Sequence, residues 1–102
     1  MEPVEIIREA RNLLFERGWC QRALQNRDGE VCALGAVAIA THGDTTSSVT
    51  REELAAVWML SDVCGEVITV FNNAPGRTFG EVVDVFDKAE KIAESRGVGG
   101  VS

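Results

Sequence analysis

The sequence predicts a mainly α fold: a compact four-helix single domain with a short buried helix over 31–41 at its centre. Two observations predict it. Residues 31–40, VCALGAVAIA, carry no polar side chain. Three other stretches show apolar residues at helical spacing, bounded by helix start and stop signals. With 102 residues the chain suffices for one domain with a real core. We take 1–96 as that domain and 97–102, GVGGVS without a patterned face, as a flexible tail.

The first helix lies in PVEIIREARNLLFERG. Val4, Ile7, Ala10 and Leu14 fall on one stripe, widened by Ile6 and Leu13. Pro3 suits the first turn and Gly18 the stop. Its outer face carries Arg8, Glu9 and Arg11, read as solvated.

The apolar run decides the centre. Ten residues are half of the ~20 that cross a bilayer, so it is no membrane span. A buried strand would favour β-branched residues, whereas four of these ten are Ala and one is Gly. Ala and Leu favour helix, and THGD follows with Gly43 placed to cap it. A helix apolar all round is a buried one. Gly35, Ala36, Ala38 and Ala40 would let neighbouring helices come close.

The third helix is TREELAAVWMLSDVCG. Thr50 and Glu53 form a capping box, Leu54, Val57, Trp58 and Ser61 share a face, and Gly65 ends it. The fourth, TFGEVVDVFDKAEKIAESRG, opens on a second capping box, Thr78 with Glu81. It buries Val82, Val83, Phe86, Ala89, Ile92 and Ala93 and stops at Gly97.

Three irregular pieces remain. WCQRALQNRDGEVC has a turn signal at Asp28-Gly29, flanked by residues that can pair as a small β-hairpin or stay a loop. THGDTTSSVT is a polar loop. EVITVFNNAPGRT alternates between 67 and 71 and turns at Pro75-Gly76, which fits one short strand or a continuation of the third helix.

Net charge is −6, which argues against nucleic acid or an anionic membrane as partner. Residues 1–27 hold five Arg and four Glu, and the rest five Lys/Arg and twelve Asp/Glu, so the first helix is mildly basic on an acidic body. The N-terminal residues MEPVEIIREARN lack the apolar core of a signal peptide, and Cys20, Cys32 and Cys64 form no disulfide framework. The expected compartment is the cytoplasm, with reduced thiols.

The segments GWC (18–20), VCALGAV (31–37), FNNAPGRT (71–78) and EVVDVFDKA (81–89) resemble a family of small uncharacterised proteins of actinobacteria and their phages. The resemblance runs from the first helix to about Ala93. The family pattern has Trp-Asn-Asp before the Pro-Gly turn, where Phe71-Asn72-Asn73 stands here. The resemblance implies an actinobacterial or phage setting and no chemistry.

The chemistry is therefore weighed by residue type. Cys20, Cys32, Cys64 and His42 have the composition of a Cys₃His zinc site, but the gaps of 11, 9 and 21 residues lack a short chelating pair. No metal and no cofactor is expected. Cys20, His42 and Asn72 supply the types for a nucleophilic cysteine, its base and an orienting amide. Buried free cysteines more often act as small hydrophobes. No glycine-rich phosphate loop is present. Trp19, Trp58 and Phe71 are expected in the core, and any of them found exposed would point to a partner anchor. Asn72, Asn73 and Arg77, with Trp19 and Cys20, are the candidate binding surface.

The preferred reading is a non-enzymatic interaction protein, encoded by a phage and acting on a bacterial host component, with a host or phage protein as its partner. A homodimer through the third or fourth helix is compatible with it. The runners-up are a cysteine enzyme using Cys20 with His42, and a small-molecule-binding domain.

Overall fold

A computed structural model describes residues 2–46 and 49–95 in full. Among the described residues five helices follow in order: α1 (Pro3–Arg17), α2 (Ala33–His42), α3 (Arg51–Cys64), α4 (Ile68–Asn73) and α5 (Phe79–Val101). α5 is traced to Val101, past the helix stop expected at Gly97, and the flexible tail expected over 97–102 falls on residues that are not fully described. The mainly helical architecture is the expected one, with a fifth, short helix.

α2 packs against α1, α3 and α4, while α1 also meets α3 and α5. Ala33, Ala36 and Val37 are fully enclosed, and Ile6, Ile7, Leu14, Leu60, Val82 and Phe86 close the core around them. The central helix is thus where the apolar run placed it, but it starts two residues later. Val31 pairs with two other segments and Cys32 is the N-cap, its Sγ accepting from the Gly35 amide at 3.3 Å. Gly43, in the left-handed region, caps the other end.

The segment between α1 and α2 folds back twice on Val31. Val31 bridges Trp19 in parallel and Gln25 antiparallel. The Gly29 amide bonds to Asn26 O at 3.1 Å and the Asn26 amide to Glu30 O at 2.9 Å. Gly29 has φ +86. This is a three-residue hairpin loop, a tight turn followed by a left-handed residue that forms a bulge. Asn26 Oδ1 fixes it by accepting from the Asp28 and Glu30 amides, each at 3.0 Å.

Several expectations are corrected. The alternating stretch between 67 and 71 is neither strand nor continuation of α3. Gly65 at φ +80 ends α3, and Ile68–Asn73 starts a separate helix. Ala74-Pro75-Gly76-Arg77 then turns, with the Arg77 amide on Ala74 O at 3.0 Å and Gly76 at φ +81. The buried face of α3 is Glu53, Ala56 and Leu60, while Leu54 is 40% and Trp58 64% exposed. Residues 54–60, LAAVWML, are apolar at every angle, so periodicity alone does not choose a face.

Thr50 caps α3 as expected, but Glu53 does not reach back to complete the box. Its side chain turns inward to His42 Nε2 at the end of α2. The Thr78–Glu81 box is complete, with the Thr78 amide on Glu81 Oε1 at 2.9 Å and the Glu81 amide on Thr78 Oγ1 at 3.2 Å. Arg8 and Arg11 are not a free basic face. They bridge to α5, Arg8 to Glu90 and Glu94, Arg11 to Asp87 and Glu90.

Candidate functional site

Asn72, near the end of α4, is completely enclosed. Its Oδ1 accepts from the Trp19 indole N–H at 2.7 Å and from the Ala33 amide, at the first turn of α2, at 3.0 Å. Its Nδ2 donates to Cys20 O at 3.2 Å and to Asn73 Oδ1 at 3.0 Å. One amide side chain therefore joins α4 to the start of α2 and to the segment after α1. An amide suits this place because it offers both an acceptor and two donors without charge.

The bonding continues outward. Asn73 Oδ1 also accepts from the Arg22 backbone amide at 2.8 Å, and Gln21 Nε2 donates to Asn72 O and Ala74 O, each at 3.0 Å. Arg22 stands at φ +67, the one non-glycine in that region among the described residues. An L-residue held there carries backbone strain. Leu24 O accepts from the Cys32 amide at 3.2 Å, pinning the hairpin to the α2 cap.

The five residues named for a binding surface are thus placed as follows. Trp19, Cys20, Asn72 and Asn73 share one hydrogen-bonded cluster. Arg77 bonds elsewhere on α4, its Nε donating to Phe71 O at 2.9 Å and its guanidinium 3.7 Å above the Phe71 ring. Glu81 at 3.4 Å and Glu66 at 3.9 Å take its remaining charge. Trp19 stacks on Phe79, with ring centroids 6.3 Å apart. Asn72 is enclosed while Trp19, Cys20 and Asn73 are half-buried, and the segment they hold exposes the run from Arg22 to Gln25 and the loop tip at Arg27-Asp28. The side chains of Arg22 and Arg27 make no ion pair among the described residues. Arg22, Leu24 and Arg27 were not singled out from the sequence. The only signal was the Asp28-Gly29 turn, which fixes the loop but not its role.

The Cys-His-Asn set is not assembled. Asn72 bonds to the first residue of α2 and His42 is the last, which a rise of 1.5 Å per residue puts roughly 13 Å apart. His42 Nε2 is taken by Glu53, and their side chains are only 12% and 4% exposed. The Cys20 thiol sits 3.5 Å from Ala23 O and 3.4 Å from Glu30 O. Burial, then the neighbouring Cys32 and Glu30, push it above its usual range, against a single lowering contact at Asn26. A nucleophilic cysteine needs the opposite shift. Burial also raises Cys32, outweighing the amides of Gly35 and Leu34. No group of three or more His, Cys, Asp or Glu among the described residues could hold a metal ion.

Two hollows lie elsewhere. One of about 200 Å³ opens between α3 and α5, lined by Met59, Asp62, Val63, Ala89 and Ile92. The other is a shallow surface depression along α4, lined by Glu66, Thr69, Val70, Asn73, Ala74 and Pro75. No described helix is long and apolar enough to cross a membrane.

A small helical domain with an enclosed polar clamp and an outward hairpin is the class defined so far. The chain belongs to a family of unknown function, DUF6197, whose model matches residues 1–92. No curated protein and no solved structure matches it.

Proposed function

We propose that the protein is a small non-enzymatic interaction module that uses the exposed segment 21–28, which leads into the hairpin, to engage an acidic surface on a host bacterial protein. The phage-encoded, cytoplasmic setting of this reading rests on the resemblance of the GWC, VCALGAV and FNNAPGRT segments to actinobacterial and phage proteins. The observation that carries the reading is Arg22. Its backbone stands in a left-handed conformation with its amide donating to the Asn73 side-chain oxygen, while its side chain makes no ion pair or hydrogen bond among the described residues. Strain of this kind persists where surrounding structure imposes it, and it gathers at binding and catalytic sites. Arg22 and Arg27 offer forked donors suited to carboxylates, and the loop displaying them is already ordered, so binding costs little conformational entropy.

Immobilised protein should retain a reproducible partner from an actinobacterial lysate. Retention should fall with added salt, because exposed charges act over only ~8 Å at physiological ionic strength. The Arg22→Ala, Arg27→Ala double variant should lose the partner while keeping the wild-type melting temperature. Equal capture by wild type and variant, or tighter binding to a nucleic-acid duplex than to any protein, would remove this reading.

A further inference from the structure

The outer face of α3 is a different surface from the hairpin. Opposite Glu53, Ala56 and Leu60 lie Arg51, Ala55, Trp58 and Asp62. Their spacing of four, three and four residues is that of a coiled-coil seam. Arg51, Trp58 and Asp62 are exposed, Trp58 to 64%, and Ala55 is half-buried. Neither Arg51 nor Asp62 makes an ion pair among the described residues. An unpaired Trp on a seam is unusual for a surface that meets only water, since aromatic anchors dominate interface energies.

We infer that this seam binds a second copy of the same chain, with the two α3 helices antiparallel about a two-fold axis. The order of the four residues selects that partner. An antiparallel pairing centred between Ala55 and Trp58 sets Arg51 against Asp62 of the second copy, and Trp58 against Ala55 of the second copy. The two-fold axis repeats both contacts, giving two opposite-charge pairs at the ends and two large-on-small contacts in the middle. A parallel pairing would instead oppose Arg51 to Arg51, Asp62 to Asp62 and Trp58 to Trp58. Like charges facing each other in register disfavour it. The surface is therefore self-complementary under a two-fold axis, as an isologous dimer requires. Leu54, 40% exposed, and the partly buried Met59 flank the seam and extend the apolar contact. One helix pair is at the small end of interface sizes, so the dimer forms at high rather than trace concentration.

Sedimentation equilibrium of the full chain, from low micromolar to near-millimolar concentration, tests the pairing. Wild type should pass from monomer to dimer mass. Trp58→Ala should weaken the association at least ~10-fold. Arg51→Asp and Asp62→Arg should each weaken it, and the double variant carrying both should restore it, since the swap rebuilds both pairs. These side chains are exposed, so unchanged melting curves separate lost association from lost folding. A wild type that stays monomeric throughout, or a dimer indifferent to Trp58→Ala and to the charge swap, overturns the inference.

Discussion

Gly35 and Leu24 touch backbone to backbone: a Cβ built on Gly35 would lie 2.0 Å from Leu24 O and 2.8 Å from its carbonyl carbon. The small residue in the central helix is there for the hairpin, not for a neighbouring helix as its place in an Ala-rich run suggested. The same carbonyl accepts from the Cys32 amide, so it cannot move aside without breaking that bond at the N-cap residue of α2.

Gly35→Ala should accordingly destabilise the protein, although Ala is the better helix former by about 1 kcal/mol. Overpacking against backbone costs ~1–3 kcal/mol or more. The net loss is expected in urea unfolding. Gly35→Leu should be worse, and Ala36→Leu, at an enclosed position, should also lose stability. An unchanged midpoint for Gly35→Ala would mean the hairpin does not rest on α2.

Asn72→Ala is predicted to cost roughly 2–4 kcal/mol, because each buried partner left unpaired carries a penalty of about 1–3 kcal/mol and neighbouring penalties do not simply add. The Trp19 indole and the Ala33 amide lose an acceptor, and Cys20 O loses a donor. Trp19 fluorescence should shift towards that of a hydrated indole, best read in a Trp58→Phe background. Retention of both stability and emission would show that Asn72 is not the clamp.

Helix α1 was legible because it has a single apolar stripe and signals at both ends, and the start of α5 because of its Thr78–Glu81 capping box, although Ile92 of its expected apolar face is 42% exposed. The run at 31–40 was legible because nothing but a buried helix accommodates ten apolar residues rich in Ala. What failed has a common physical origin: the deciding partner was distant in the chain. Glu53 leaves its expected cap because His42, eleven residues earlier, draws it inward. The face of α3 follows from that rotation, and Trp58 points outward as a result. Arg8 and Arg11 looked solvated because their carboxylates lie on α5, at Asp87, Glu90 and Glu94. The cluster around Asn72 was half legible: its members were named, but residue types do not reveal whether a polar set faces solvent or closes on itself.

Acid should destabilise the fold through Glu90. Burial alone would raise its carboxyl, but bonds from Arg8 and Arg11 outweigh this, and the net shift is downward. A carboxyl whose folded value lies below its unfolded one adds stability above the unfolded value, ~4.3. That stability is lost as pH falls through the folded value. Glu81 acts in the same direction through the Thr78 amide. Melting temperature should therefore hold above about pH 5 and drop below ~4. Arg11→Met should flatten that acid limb, and high salt should do so in part, since Arg8 is 41% exposed. An acid limb identical in wild type and Arg11→Met would leave Glu90 without the assigned role.

The thiols separate an interaction module from a cysteine enzyme. A raised pKa means less thiolate at any given pH, and thiolate is the species that alkylates. Cys32, 4% exposed and capping α2, should resist iodoacetamide in native protein and react only on unfolding. Cys20 is partly reachable, but burial raises its thiol, so it should label more slowly at pH 7 than in the unfolded chain. His42→Ala should leave that rate unchanged, because His42 is bonded to Glu53 at the opposite end of α2 from the Cys20 segment. Residue-resolved labelling by mass spectrometry between pH 5 and 9 reads all of this in one series. Fast native labelling of Cys20 alone, with an apparent pKa well below ~8.5 that His42→Ala raises, would require the two side chains to meet. A cysteine-dependent reaction would then displace the interaction reading.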